Sequence, residues 1–200
     1  MKKLIILGIV VVLALFIFSG INTMPRLDEK VKASWSQVEN QYQRRADLIP
    51  NLVATVKGYA EHEQSTLEAV IQARANATKV TITPETINDP EALKKYEQAQ
   101  GELSSALSKL MMVSEQYPNL KANQAFQDLR VQLEGTENRI TVARNRYIKT
   151  VEQYNVLARS FPSNLTAMVF SYSVKPSFTV ANEAAISAPP AVSFDKPASK

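Results

Sequence analysis

Cysteine is absent from this 200-residue chain. Its absence excludes disulfides, thiolate catalysis, sulfur-ligated metals and lipid attachment through an N-terminal cysteine. The compartment is left unmarked, because a chain without thiols suits either side of a membrane. Histidine occurs once, as His62 between Glu61 and Glu63. Successive helical positions point about 100° apart. These three side chains therefore do not converge on one ion, and the triplet reads as a solvated helix face. Glycine is scarce, at five residues. Phosphate-cradling loops, dinucleotide fingerprints, nucleophile elbows and zinc-protease motifs are all missing. A dominant charge is missing too: 23 basic residues against 19 acidic give +4. They are spread along the chain, without the basic stripe that nucleic-acid binding requires. No catalytic, cofactor or metal-ligating residue is assigned, and no nucleic-acid partner.

Helix-forming Ala, Gln, Glu, Lys and Leu are abundant. Met1-Lys2-Lys3 precedes an uncharged run from Leu4 to Pro25, strongly apolar to Phe18. As a helix, Leu4–Ile21 spans about 27 Å, just enough for a bilayer core. A cleaved signal peptide has the same basic start. Cleavage after Gly20, however, puts bulky Phe18 where a small residue is needed, so the run reads as an uncleaved anchor. Lys2 and Lys3 before the run, and Arg26, Lys30 and Lys32 after it, leave the positive-inside rule nearly balanced between the two orientations. A short basic tail ahead of a first span usually stays inside. The expected topology is single-pass, with the bulk of the chain outside the cytoplasm.

Beyond the run the pattern is amphipathic. Val31, Trp35, Val38, Tyr42, Arg45, Ile49, Leu52, Val56 and Tyr59 advance in alternating steps of four and three, a bundle seam. The seam keeps its phase across Pro50, which predicts a kinked continuation there, with Asp47 able to cap a restarted helix. Val80 to Pro90 is a break, and Asp89-Pro90-Glu91 reads as an N-cap, a first-turn proline and a first-turn acid. A second seam runs from Leu93 through Tyr96, Gln100, Leu103, Leu107, Leu110 and Ser114 to Tyr117. A third runs from Phe126 through Leu133, Thr136, Ile140, Tyr147 and Tyr154 to Ala158. The predicted fold is all-α: an antiparallel four-helix bundle with long helices on a single N-terminal transmembrane helix. Its segments are Leu27–Ala46, Asp47–Lys79, Pro90–Tyr117 and Asn119–Ser160, the first two forming one long bent rod if Pro50 only kinks the chain. The organisation is an anchor at 1–25, a bundle at 26–162 and a C-terminal extension at 163–200. Leu165 to Phe170 is a short apolar patch, on the bundle or on the membrane surface. From Lys175 onward Pro, Ser and Ala dominate, the composition of a disordered tail, assigned largely from about 179.

Arg-Arg-Ala-Asp-Leu-Ile-Pro-Asn-Leu-Val at 44–53 is preceded by Trp35-Ser36-Gln37-Val38-Glu39 and followed by Val56-Lys57-Gly58-Tyr59-Ala60. This stretch closely resembles the signature of the LemA family of bacterial membrane-anchored helical proteins. Arg139, Arg144, Tyr147, Tyr154, Asn155, Phe161 and Pro162 lie where that family has its second recurrent pattern. The family often follows the first of these tyrosines with Asn, and Ile148 stands there instead. The resemblance implies the same four-helix bundle. It also implies association with membrane quality control, through an HtpX-type metalloprotease or a TPM-domain protein.

The interaction or structural motif is assigned to Arg44, Arg45, Asp47, Pro50, Asn51, Tyr59, Arg144, Tyr147, Tyr154 and Asn155. One reading of its first half is a polar buttress: Asp47 caps the break, while Asn51 or Arg45 satisfies the carbonyl that Pro50 frees. The other is a face that docks a partner or a second copy. The seam tyrosines read as core packing, with an aromatic ligand cage as the alternative. Together these features suggest a non-enzymatic scaffold or adaptor that binds a membrane protein or self-assembles. The alternatives are a small-molecule or lipid sensor, and an enzyme with an unrecognised carboxylate site.

Overall fold

The computed structural model describes residues 2–59, 63–83 and 86–178, with the side chains of residues 2, 9–10 and 12–21 outside that description. Every regular element is helical, and the described residues contain no strand. The elements are α1 (Lys2–Lys57), α2 (Gln64–Lys79), a 3-10 turn (Thr86–Asn88), α3 (Pro90–Ser114), α4 (Pro118–Lys121), α5 (Gln124–Arg159) and α6 (Ser163–Val169). They pack as a helical bundle. The most extensive packing is of α1 on α5, followed by α2 on α3 and α1 on α2, and α6 lies on both α1 and α5.

α1 runs unbroken for 56 residues, about 84 Å, through both Pro25 and Pro50. The helix continues across Pro50, as the phase of the seam predicts, and the division expected at Ala46/Asp47 is absent. The helix ends ten residues later at Lys57, in a turn where the Tyr59 N–H donates to the Val56 carbonyl. Asp47 therefore caps nothing and instead accepts from Gln43 Nε2 on the helix surface, at 2.7 Å. Proline at 50 removes the N–H that would reach the Ala46 carbonyl. Neither Asn51 nor Arg45 replaces it: Arg74 Nε, from α2, donates to that carbonyl at 2.7 Å. The helix survives its proline because a neighbouring helix supplies the missing donor.

This substitution of donors gives an expected coupling. Arg74→Met leaves the Ala46 carbonyl unpaired and lowers stability by about 1–2 kcal/mol. In a Pro50→Ala background the restored N–H takes over, and the same substitution costs about 1 kcal/mol less. Urea unfolding of the four proteins measures the coupling, and equal penalties in the two backgrounds would remove Arg74 from this role.

The other boundaries have local causes. Asp89 caps α3, its carboxylate accepting from the Glu91 N–H at 2.9 Å, with Pro90 in the first turn. The segment expected as one helix over Asn119–Ser160 is two. Asn123 interrupts it, because its side-chain oxygen accepts from the Phe126 N–H at 2.9 Å and so starts α5 afresh.

The interior divides in two. Near the α1 N-terminal half it is aromatic: Trp35, Tyr42, Tyr96, Tyr147, Tyr154 and Phe178, with Met24, Val31 and Ile140. Towards the far end it is aliphatic, built on Ile49, Leu52, Val70, Leu103, Leu110 and Leu133, with the buried ring of Phe126 and the half-buried Tyr117 packed against it. Between the halves lies a polar layer in register on three helices: Arg45 between Tyr42 and Ile49, Gln100 between Tyr96 and Leu103, and Thr136 between Leu133 and Ile140. All three are buried. Among the described residues, no helix is long and apolar enough to cross a membrane. Most of the stretch Leu4–Ile21 has side chains outside the description.

Candidate functional site

Among the described residues Arg45 is the largest fully buried side chain, at 1% exposure. Seam spacing aims it inward from α1. Its Nη1 donates to Ser104 Oγ at 2.6 Å and to Glu137 Oε1 at 2.8 Å. Its Nη2 donates to the side-chain and backbone oxygens of Gln100, at 2.7 and 3.1 Å. One guanidinium thus ties α1 to α3 and α5, and Gln100 Nε2 extends the network to the Ala77 carbonyl on α2, at 3.3 Å. The planar fork suits this task, since it offers several fixed donors on one rigid group. One turn earlier, Tyr42 packs its ring 5.0 Å from the guanidinium and meets Tyr96 edge-on. Burial raises the Tyr42 hydroxyl above its usual range, against the opposing pull of Arg144 and Arg45. A cleft of about 360 Å³ opens beside the network between α3 and α5, lined by Arg45, Lys94, Glu97, Glu137 and Arg144 among others.

The rest of the first motif does not join this network. Arg44, Asp47, Pro50 and Asn51 are exposed. The Asn51 backbone carbonyl accepts from the Thr55 hydroxyl. Tyr59 lies past the end of α1 and off the seam, 45% exposed, its hydroxyl accepting from Asn123 Nδ2 at 2.8 Å. Tyr117 is half-buried and donates to Glu63.

The second motif converges on an element that composition hides. α6 ends in a Schellman-type turn: the Tyr172 N–H reaches the Ala167 carbonyl, the Ser171 N–H reaches Met168, and Ser171 adopts φ 57°. The chain then runs extended back along the bundle to Phe178. Asn155 grips it from α5, its Nδ2 donating to the Lys175 carbonyl at 2.9 Å and its Oδ1 accepting from the Lys175 N–H at 2.8 Å. A side-chain amide carries one donor group and one acceptor, so it pairs with both backbone groups of a single residue. The Lys175 side chain, 4% exposed, reaches Asp28 on α1 at 2.7 Å and Asn88 at 2.8 Å, and passes over the Tyr154 ring at 4.9 Å. Phe178 stacks on Trp35 and meets Tyr147 edge-on, with Arg144 4.3 Å above its ring. Arg144 also pairs with Glu97 on α3, at 3.2 Å. Burial pushes the Tyr147 hydroxyl up to about 12, and burial with the nearby charge of Asp28 does the same for Tyr154, so both stay protonated at neutral pH.

Composition marked Lys175 to Phe178 as the start of a tail, and the structure corrects this: Lys175 and Phe178 are both buried. Residues 179–200 lie outside the description, as does His62. The sequence offered one signal for the strap: Phe170, Tyr172 and Phe178 place three rings in nine residues, more than a disordered segment carries. Gln100 was marked only as a polar residue on the second seam, and Asp28, Asn88, Glu137 and Arg74 were not singled out, because each acquires its role from elements far away in sequence. Among the described residues, no group of acidic or histidine side chains is placed to hold a metal ion.

Burial pushes the Asp28 carboxyl up, but hydrogen bonds and charge from Lys175 and Lys32 outweigh it and leave the group below its ordinary value of 3.8. A carboxylate with a depressed folded pKa contributes stability that is complete above the unfolded value and lost as pH falls through the folded one. The Asp28–Lys175 pair is therefore expected to be insensitive to pH between 7 and about 4. Below that, the wild type loses stability more steeply than Asp28→Asn. Unfolding midpoints at neutral and acid pH measure this, and parallel curves for the two proteins would contradict it.

The family sequence model that describes LemA proteins matches residues 34–194. The Magnetosome protein MamQ 2 of Paramagnetospirillum magneticum is 25% identical over 167 residues, covering 76% of this chain and 61% of that protein. MamQ of Magnetospirillum gryphiswaldense has the same identity and coverage. The chain spans about three-fifths of the length of these magnetosome relatives. Protein LemA of Metamycoplasma hominis is 23% identical over 167 residues, covering 82% of this chain and 69% of that protein. With the signature in place and the family match extending over most of its length, the chain belongs to the LemA family.

Proposed function

We propose that this protein is a non-enzymatic, membrane-anchored scaffold of the bacterial envelope. In this reading an antiparallel four-helix bundle stands on a single N-terminal transmembrane helix, outside the cytoplasm. It binds a partner membrane protein or further copies of itself. The observation that carries this reading is how the recurrent polar side chains are engaged. Arg45, Arg144, Tyr147, Tyr154 and Asn155 all bind groups of the same chain, and they do so to hold helices and a strap in place. Such residues build a rigid surface for others to use. Anchoring draws support from Leu4, Ile5, Ile6, Leu7 and Val11, large apolar side chains that the rest of the protein leaves uncovered. It also draws support from the magnetosome relatives.

On the family resemblance, the partner is an HtpX-type metalloprotease or a TPM-domain protein. Purification of the full-length chain from its native membranes, with mass spectrometry of the intact assembly, tests the reading. A stoichiometric protein complex or a defined homo-oligomer is expected. A monomer carrying a small molecule would favour a sensor instead. That second reading has its own observation, a cleft of about 430 Å³ between α3 and α5 lined by Leu107, Met111 and Leu133 with Arg130, Glu134 and Glu137.

A further inference from the structure

At the end of the bundle where the apolar run enters, a second apolar surface stands uncovered. α6 turns Ser163, Thr166 and Ala167 inward against its neighbours. Its other face shows Leu165, Met168 and Val169 to solvent, and Phe161 and Phe170 flank it, also exposed. Met168 and Val169 are 77% and 75% exposed. Five large apolar side chains within ten residues make a patch of the kind that marks an interaction site.

Its place in the fold narrows what covers it. Ala167 belongs to the same core cluster as Met24, which is fully buried. Met24 lies three residues past Ile21, the end of the apolar run, or about 5 Å along the helix axis. At the same end a groove of about 400 Å³ runs between Thr23 and Leu27 of α1 and Lys149, Val156 and Leu157 of α5. The exposed charges here are mainly basic: Arg26 and Lys30 on α1, Lys149 and Arg159 on α5. Of the acids nearby, Asp28 and Glu29 are paired with lysines, which leaves Glu152. An apolar face rimmed by positive charge, beside the mouth of an apolar helix, matches the boundary between acyl chains and anionic headgroups.

We propose that α6, with Phe161 and Phe170, is a foot that inserts into the interface of an anionic lipid bilayer and fixes how the bundle stands on it. The proposal rests on the anchored reading above. It adds a second, independent point of contact: a helix held by one span is free to tilt and rotate, and an interfacial contact restrains both.

The chain has no cysteine, so single-cysteine variants take one label each. The full-length Met168→Cys, Val11→Cys and Met112→Cys variants are labelled with the fluorophore NBD. Each is reconstituted in phosphatidylcholine vesicles with and without phosphatidylglycerol. Met112 is a control of similar exposure near the far end of α3. Nitroxide lipids with shallow or deep quenchers report depth. The expected result is shallow quenching at Met168 several-fold above Met112, increased by phosphatidylglycerol, with deep quenching at Val11.

Quenching at Val11 alone would overturn the foot and leave the anchor standing. Quenching at neither Met168 nor Val11 would overturn both. Quenching at Met168 without Val11 would uphold the foot and overturn the anchor. A blue-shifted Met168 label that no lipid quenches would mean protein covers the patch, from a second copy or from residues 179–200, and would overturn the foot. Indifference to phosphatidylglycerol would overturn the anionic headgroup as its occupant.

Discussion

Replacing Arg45 with alanine is expected to lower the unfolding free energy by about 3–5 kcal/mol, a fall in Tm of about 10 °C for a protein of this size. Several effects act together. The substitution empties a fully buried volume at the junction of the two core halves. It also strips the buried Gln100 side chain of the donor that satisfies it at 2.7 Å, and Ser104 of a bond at 2.6 Å. Glu137 suffers least, because its side chain is 45% exposed and water replaces the lost partner. Glu137→Gln is for this reason expected to cost only about 1 kcal/mol. Arg45→Met separates packing from charge. It fills most of the volume with no ion to bury, and buried ion pairs often exchange for apolar side chains at little cost. A loss within about 1.5 kcal/mol is expected there. Denaturant unfolding of the three variants is the check. A mild Arg45→Ala would mean that the polar layer is incidental to the fold.

Phe178→Ala is expected to cost about 3 kcal/mol. The ring contacts Trp35, Tyr147 and the Arg144 guanidinium at once, so its removal opens the aromatic half of the core along one side. The cost has a ceiling, because the strap detaches once holding it is less favourable than hydrating Lys175. Trp35 is the one tryptophan, 4% exposed and stacked on Phe178, and its emission reports the event directly. A red shift in Phe178→Ala, with unfolding at lower denaturant, is the expected outcome. Unchanged emission would show that the strap does not cover Trp35 in solution.

These two sites differ in how far sequence alone discloses them. The seams were legible because period and burial coincide. Val31, Trp35, Val38, Tyr42, Arg45, Ile49, Leu52 and Val56 are all buried, as spacing requires. Asp89 and Pro90 start α3 where cap chemistry puts them. At Pro50 the phase of the seam was the better guide: cap chemistry placed a boundary at Asp47, because local rules record the N–H that proline lacks and not the Arg74 donor that replaces it from another helix. Arg45 was visible as a charge on an apolar seam, but its partners lie 55 to 92 residues away. The strap was hardest to see. Extended backbone has no helical period, and its hold depends on one asparagine, one lysine and one ring meeting residues from three separate elements. The motif residues Arg44, Asp47, Pro50 and Asn51 face outward and take no part in the Arg45 network.

The central claim is that the inward-facing polar residues of both recurrent motifs hold this chain together. Residue-resolved hydrogen exchange on the full-length protein in lipid nanodiscs tests it most directly, at the Lys175 amide. That N–H has no helical partner and donates to the Asn155 side chain. The expected result is a Lys175 amide protected in the wild type and exchanging freely in Asn155→Leu, with α1, α3 and α5 around Arg45 still protected. Free exchange at Lys175 in the wild type would contradict the claim. It would leave Asn155, Tyr154 and the Phe178 site open, and would point to a ligand in place of the strap.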